Sequence, residues 1–119
     1  MKLKPELLAT AYEFLRGTPP FERWALPPAA EVSFVVLKDP HGNLFGDHQC
    51  DAGGQTGHRI RVSEGKVGTI RTLVFVMAHE MIHVAQAMER AGTKSEHNRD
   101  FHRRKRQIAR LHGYDAKEL

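Results

Sequence analysis

The stretch TIRTLVFVMAHEMIHVAQAMER, residues 69–90, constrains the fold more than any other part of the chain. It is too long for an ordinary strand, and its apolar residues cover every side instead of alternating. It therefore reads as a helix buried by the rest of the molecule. Leu73, Val74, Phe75, Val76, Met77, Met81, Ile82 and Val84 surround three polar residues, His79, Glu80 and His83. Ionisable groups in such a helix are costly unless a metal or another partner satisfies them. The fold must wrap this helix and also supply that partner.

The spacing of the three says what the partner is. Residues four apart share a helix face, one turn from each other, so His79 and His83 can offer imidazoles to one ion. Glu80 is rotated by about 100° from His79, which suits it to reach a water on the metal and not the metal itself. This is the division of labour in H-E-x-x-H sites, with two histidine ligands and a glutamate as general base. The metal brings the pKa of its water to roughly 7 and polarises the scissile carbonyl. A chance H-E-x-x-H in a chain of this composition has a probability on the order of 4%, and the apolar context lowers it further.

A catalytic zinc takes three protein ligands and keeps one position for water. Downstream, SEHNRDFHRR offers Glu96, His97, Asp100 and His102. If Phe101, Ile108 and Leu111 mark the buried face of the last helix, His97 projects toward that face. His102 then points toward Arg99, Arg103, Arg106 and Arg110. His97 is thus the expected third ligand and His102 a surface residue. Asn98 is placed to cap the helix, and Glu96 or Asp100 to orient a ligating imidazole. The cofactor expected is one Zn²⁺ ion.

The remaining segments read as support for this helix. Residues 3–16 carry Leu3, Leu7, Leu8, Ala11, Phe14 and Leu15 at helical spacing, and Gly17, Pro19 and Pro20 end the pattern. The Pro-rich TPPFERWALPPAA holds Trp24, read as a core anchor. EVSFVVLKD, NLFGDHQ and HRIRVSE read as three short strands, the first two joined by a turn at Pro40-His41-Gly42-Asn43. CDAGGQTG between the last two reads as a flexible loop. Gly92 is a good terminator for the long helix and Gly113 for a final one at about 98–112. The order helix, three strands, helix, helix is that of one α+β domain over residues 1–119. No apolar run approaches the ~20 residues that cross a membrane, and the N-terminus lacks the apolar core of a signal peptide. The one cysteine, Cys50, excludes an internal disulfide framework and reads as an isolated thiol. A cytoplasmic monomer is the expectation.

AHEMIH, then HNRDF with its histidine fourteen residues after His83, then IARLHGYD, resembles the SprT-like zinc metalloproteases, the group that includes Spartan. LFGDH and RIRVS extend the resemblance upstream, so that it runs from about residue 32 to 115. It implies a zincin-like fold and an endopeptidase in which His79, His83 and His97 hold zinc and Glu80 is the general base. Phe101 becomes the packing aromatic of the H-G-x-x-[FW] element. Asn98 stands where that element commonly has Gly, and the zinc ribbon of many members is absent, as in a minimal catalytic core.

Residues 99–110 carry six of the eighteen Lys and Arg. Arg99, Arg103, Arg106 and Arg110 fall within about 60° on a helical wheel, with Arg104 and Lys105 beside them. Such a stripe can hold phosphates, and eukaryotic SprT-like proteins digest proteins crosslinked to DNA, so DNA joins a protein or peptide substrate among the expected partners. His48, His58, His112 and Tyr114 are weaker candidates for stabilising an oxyanion. The alternatives are an ImmA/IrrE-like peptidase that cuts a regulator, a gluzincin with Glu89 or Glu96 as third ligand, and a non-catalytic nucleic-acid-binding module. In the last, a structural zinc would take His102 or Asp100 as fourth ligand.

Overall fold

The computed structural model describes residues 1–38, 44–89 and 97–119. The turn expected at Pro40–Asn43, the helix terminator Gly92 and the candidate ligand Glu96 lie outside the described residues. Helix α1 spans Pro5–Arg16, with proline at its start, Glu6 in its first turn and Gly17 as its C-cap. These signals suit the helix ends, where proline loses no hydrogen bond and a carboxylate meets the positive end of the dipole. Leu8, Tyr12 and Leu15 are fully buried. Phe14, expected in the same stripe, is instead 68% exposed, because it sits about 100° round the helix from Leu15.

Strands β1 (Ser33–Leu37), β2 (Gly46–Gln49) and β3 (Arg59–Ser63) form one sheet in the order β1-β3-β2. β3 pairs parallel with β1 and antiparallel with β2, which leaves β1 and β2 as edges. Alternation along β3 sends Ile60 and Val62 into the core, while Arg61 ion-pairs with its cross-strand partner Asp47 on the other face.

Helix α2 spans Ile70–Glu89 and α3 spans Arg99–His112. The molecule is an α+β fold in which α2 packs against α1, β2 and α3. Along α2, Leu73, Met77, Met81, Ile82 and Val84 are 1% exposed or less, as its composition requires. The Asn98 side chain caps α3 by accepting from the Phe101 N–H at 3.0 Å. Gly113 ends it in the left-handed conformation, φ 76°, which glycine adopts without strain.

Two expectations about α3 need correction. Leu111 is 51% exposed, and the buried face is Phe101, Arg104, Ile108 and Ala109. Leu111 lies about 80° from Phe101 on the wheel, so the face centred on Phe101 and Ile108 leaves it at the margin. Arg104, expected beside the exposed stripe, is 3% exposed. Its guanidinium pairs with Asp100 at 2.8 Å and Glu89 at 2.5 Å and lies over the Trp24 ring, 4.7 Å from its centroid. Burying a cation is tolerable here because two carboxylates and an aromatic face replace its water. Trp24 packs against the core, as expected of it.

Candidate metal centre

α2 brings His79 and His83 to one side of an open cavity of about 720 Å³. Their Nε2 atoms are 3.3 Å apart. Two nitrogens bound to one zinc at ~2.0–2.1 Å with tetrahedral angles stand ~3.4 Å apart, so the helix already sets the spacing of a ligand pair. His97, from the residue before the α3 cap, completes the group. One ligand atom from each of the three histidines lies within 4.8 Å of the others.

The ring protons of His79 and His83 are directed away from this point. The Leu119 backbone oxygen is 2.9 Å from His79 Nδ1. That oxygen can only accept, so Nδ1 carries the proton and Nε2 keeps its lone pair. The His83 ring hydrogen-bonds the Gln86 side chain, and burial, with His79, His97 and His48 close by, holds its pKa down to about 3. It is therefore neutral at physiological pH, the form that binds a metal. A metal-ligating histidine usually gives its other N–H to a carbonyl, carboxylate or water, and the Leu119 oxygen fills that role for His79. The donor set and its supports fit a zinc ion.

Phe101 forms the floor of the cluster. It is 2% exposed, and its ring centroid is 5.0 Å from those of His79 and His83 and 4.6 Å from that of His97. Gln86, one turn beyond His83, ties α2 to the start of α3. Its amide donates to Asn98 Oδ1 at 2.9 Å and Asp100 Oδ2 at 3.3 Å, which fixes the segment that carries His97. Nothing in the local sequence pattern singles out Gln86. Only the packing of α3 on α2 reveals it.

Glu80 is 4% exposed and lines the same cavity. It faces β2 at Gly46: a Cβ there would stand 2.7 Å from the Arg61 carbonyl oxygen, 2.9 Å from Val76 Cγ1 and 3.7 Å from Glu80 Oε2. Glycine is what lets the edge strand come this close to α2. Residues 50–54 also line the cavity, in a segment that is tethered where the sequence suggested flexibility. Gly54 has φ +73°, and a Cβ on it would overlap the Ala87 carbonyl oxygen. Gln55 Nε2 donates to the Met88 carbonyl at 2.6 Å, so this segment is stitched to the end of α2.

The other candidates separate cleanly. His102 is exposed and not part of the histidine group. Glu89 is engaged by Arg104, and Asp100 accepts from Arg103, Arg104 and Gln86. His112 donates to the Pro19 carbonyl at 2.7 Å and Tyr114 packs edge-on to Phe75; neither lines the cavity. His48 does line it, and His58 is buried behind it. Arg99, Arg103, Arg106 and Arg110 are all exposed along α3, with Arg103 paired to Asp100. No helix among the described residues is long and apolar enough to cross a membrane. Comparisons of the chain with protein-family models, with curated proteins and with solved structures found no match.

Proposed function

We propose that this protein is a zinc-dependent endopeptidase of the SprT-like type with a zincin-like core, in which His79, His83 and His97 hold one Zn²⁺ ion and Glu80 is the general base. The observation that carries the reading is the convergence of three imidazoles beside a buried carboxylate in a cleft of about 720 Å³. Zinc at such a set polarises a peptide carbonyl and makes water acidic enough to lose a proton near neutral pH. Glu80 takes the proton of the attacking water and delivers it to the leaving amine. Phe101, Gln86 and the Leu119 oxygen hold the three rings, so little reorganisation is needed when substrate arrives.

Edge strand β2 borders the cleft, and an extended peptide added along it would pass beside Glu80. Leu44 and Phe45, 37% and 46% exposed just before β2, offer apolar contact to its side chains. The exposed arginines of α3 are suited to phosphates, and we assign them to DNA, which would concentrate the enzyme on DNA-associated proteins. A structural zinc with a fourth protein ligand is disfavoured, since Asp100 is committed to Arg103 and Arg104 and His102 lies outside the converging histidine group. The commitment of Glu89 to Arg104 likewise disfavours it as a third ligand.

The test is cleavage of a basic DNA-binding protein by the zinc-loaded chain, with and without single-stranded DNA, with Glu80→Gln as control. Cleavage that rises with DNA and vanishes in the variant is expected. Cleavage indifferent to DNA would remove the role given to the arginines, and no cleavage under either condition would contradict the endopeptidase.

A further inference from the structure

A second group of metal-ligating side chains lies at the β2 side of the same cleft. His48 is in β2, Cys50 follows that strand by one residue, and His58 immediately precedes β3. His48 is the register partner of Ile60, so His58 is its diagonal neighbour on the same face of the antiparallel pair. The two rings stack with centroids 5.2 Å apart, and His48 Nε2 is 2.9 Å from His58 Nδ1. One ligand atom from each of His48, Cys50 and His58 lies within 4.8 Å of the others. His48 and Cys50 line the cavity, so the group opens onto it.

Ordinary packing accounts poorly for this arrangement. His58 is 2% exposed, and its Nε2 has no hydrogen-bond partner among the described residues. That atom lies across the ring from Nδ1, so the case for an ion rests on the three converging donors and not on it. A shared proton between the two imidazoles could account for the 2.9 Å contact. It gives no reason for a thiol beside both.

We propose that His48, Cys50 and His58 form a second metal site, with two imidazoles and a thiolate as donors, selective for a thiophilic ion of the Zn²⁺ class. The ion would clip β2, the segment after it and the start of β3 into one unit, fixing the cleft wall that faces α2. Binding deprotonates the Cys50 thiol and releases that proton to solvent. The group shares no ligand with the three-histidine centre, which contains no sulfur.

That difference gives the test. The full chain, kept reduced, is titrated with Co²⁺ alone and followed by absorption and by the number of ions bound. Two ions per chain are expected, with a thiolate-to-cobalt charge-transfer band in the near ultraviolet. Cys50→Ser and, separately, His48→Ala should each abolish that band and reduce the stoichiometry to one. A His79→Ala/His83→Ala variant should retain the band, which would uphold the second site even if the three-histidine reading failed. Absence of the band at saturation, or its persistence in Cys50→Ser, would overturn the proposal.

Discussion

The two walls of the cleft each carry a pair of facing histidines, and they are built in opposite ways. On the α2 wall, His79 and His83 come from one helix, four residues apart, with nitrogens 3.3 Å from each other. On the hairpin wall, His48 in β2 and His58 just before β3 are ten residues apart, with nitrogens 2.9 Å from each other. The first pair is set by the pitch of a single element and survives any tertiary arrangement that keeps the helix. The second exists only while β2 and β3 hold their register, since a slip of one residue would turn His48 to the other face. Helix-borne sites are therefore local and robust, and strand-borne sites are cooperative with the sheet.

Each wall can be challenged by removing what builds it. The largest effect belongs to the helix wall. If the ~10–16 kcal/mol of a zinc site is shared among four ligands, losing one imidazole costs about 3 kcal/mol, or ~10²-fold in affinity. His83→Ala should lower zinc affinity by at least that much in a chelator competition, while the circular dichroism of the fold stays unchanged. On the hairpin wall the large effect should be on stability. Gly46→Ala puts a methyl group 2.7 Å from the Arg61 carbonyl oxygen and 2.9 Å from Val76. It should destabilise by about 1–3 kcal/mol in denaturant unfolding, because backbone has to move. An unchanged midpoint would mean that β2 does not lie so close to α2.

Smaller effects belong to the groups that support the helix wall from other segments. Removing Leu119 takes away the oxygen that accepts from His79 Nδ1. Zinc affinity should fall by about 10–100-fold, the range for loss of a group that orients a ligand. The smallest effect on stability belongs to the outer face of α3. Replacing Arg106 and Arg110 by Ala should shift stability by less than about 0.5 kcal/mol. The same change should weaken binding of single-stranded DNA and flatten its salt dependence, the slope falling by about 0.7 for each phosphate no longer neutralised. Unaltered DNA binding would return those arginines to the role of a solvated surface.

The same contrast explains what was legible in the sequence. The element order, the long buried helix and the Asn98 and Gly113 signals were readable because each rests on residues close in the chain. His79, Glu80 and His83 stood out for the same reason, and His97 followed from the facing direction of α3. The inward turn of Arg104 was not readable, since its partners Glu89 and Trp24 come from other segments. Leu111 was misplaced because ideal wheel angles say nothing of where the packed face ends. Gln86 and the Leu119 oxygen were invisible as supports of the centre, being defined by contacts across 12 and 40 residues. The tethering of residues 50–57 to α2 was hidden likewise, because GG and TG look the same in a free loop and in one pressed against a helix.

The decisive experiment determines peptide turnover and bound zinc on the same sample, for the wild-type chain and for Glu80→Gln. The variant is expected to keep its zinc at the three histidines and to lose turnover by ~10²–10⁴-fold, the usual contribution of a general base. Turnover retained in Glu80→Gln with zinc in place would contradict the assignment of Glu80 and with it the proposed chemistry of the cleft.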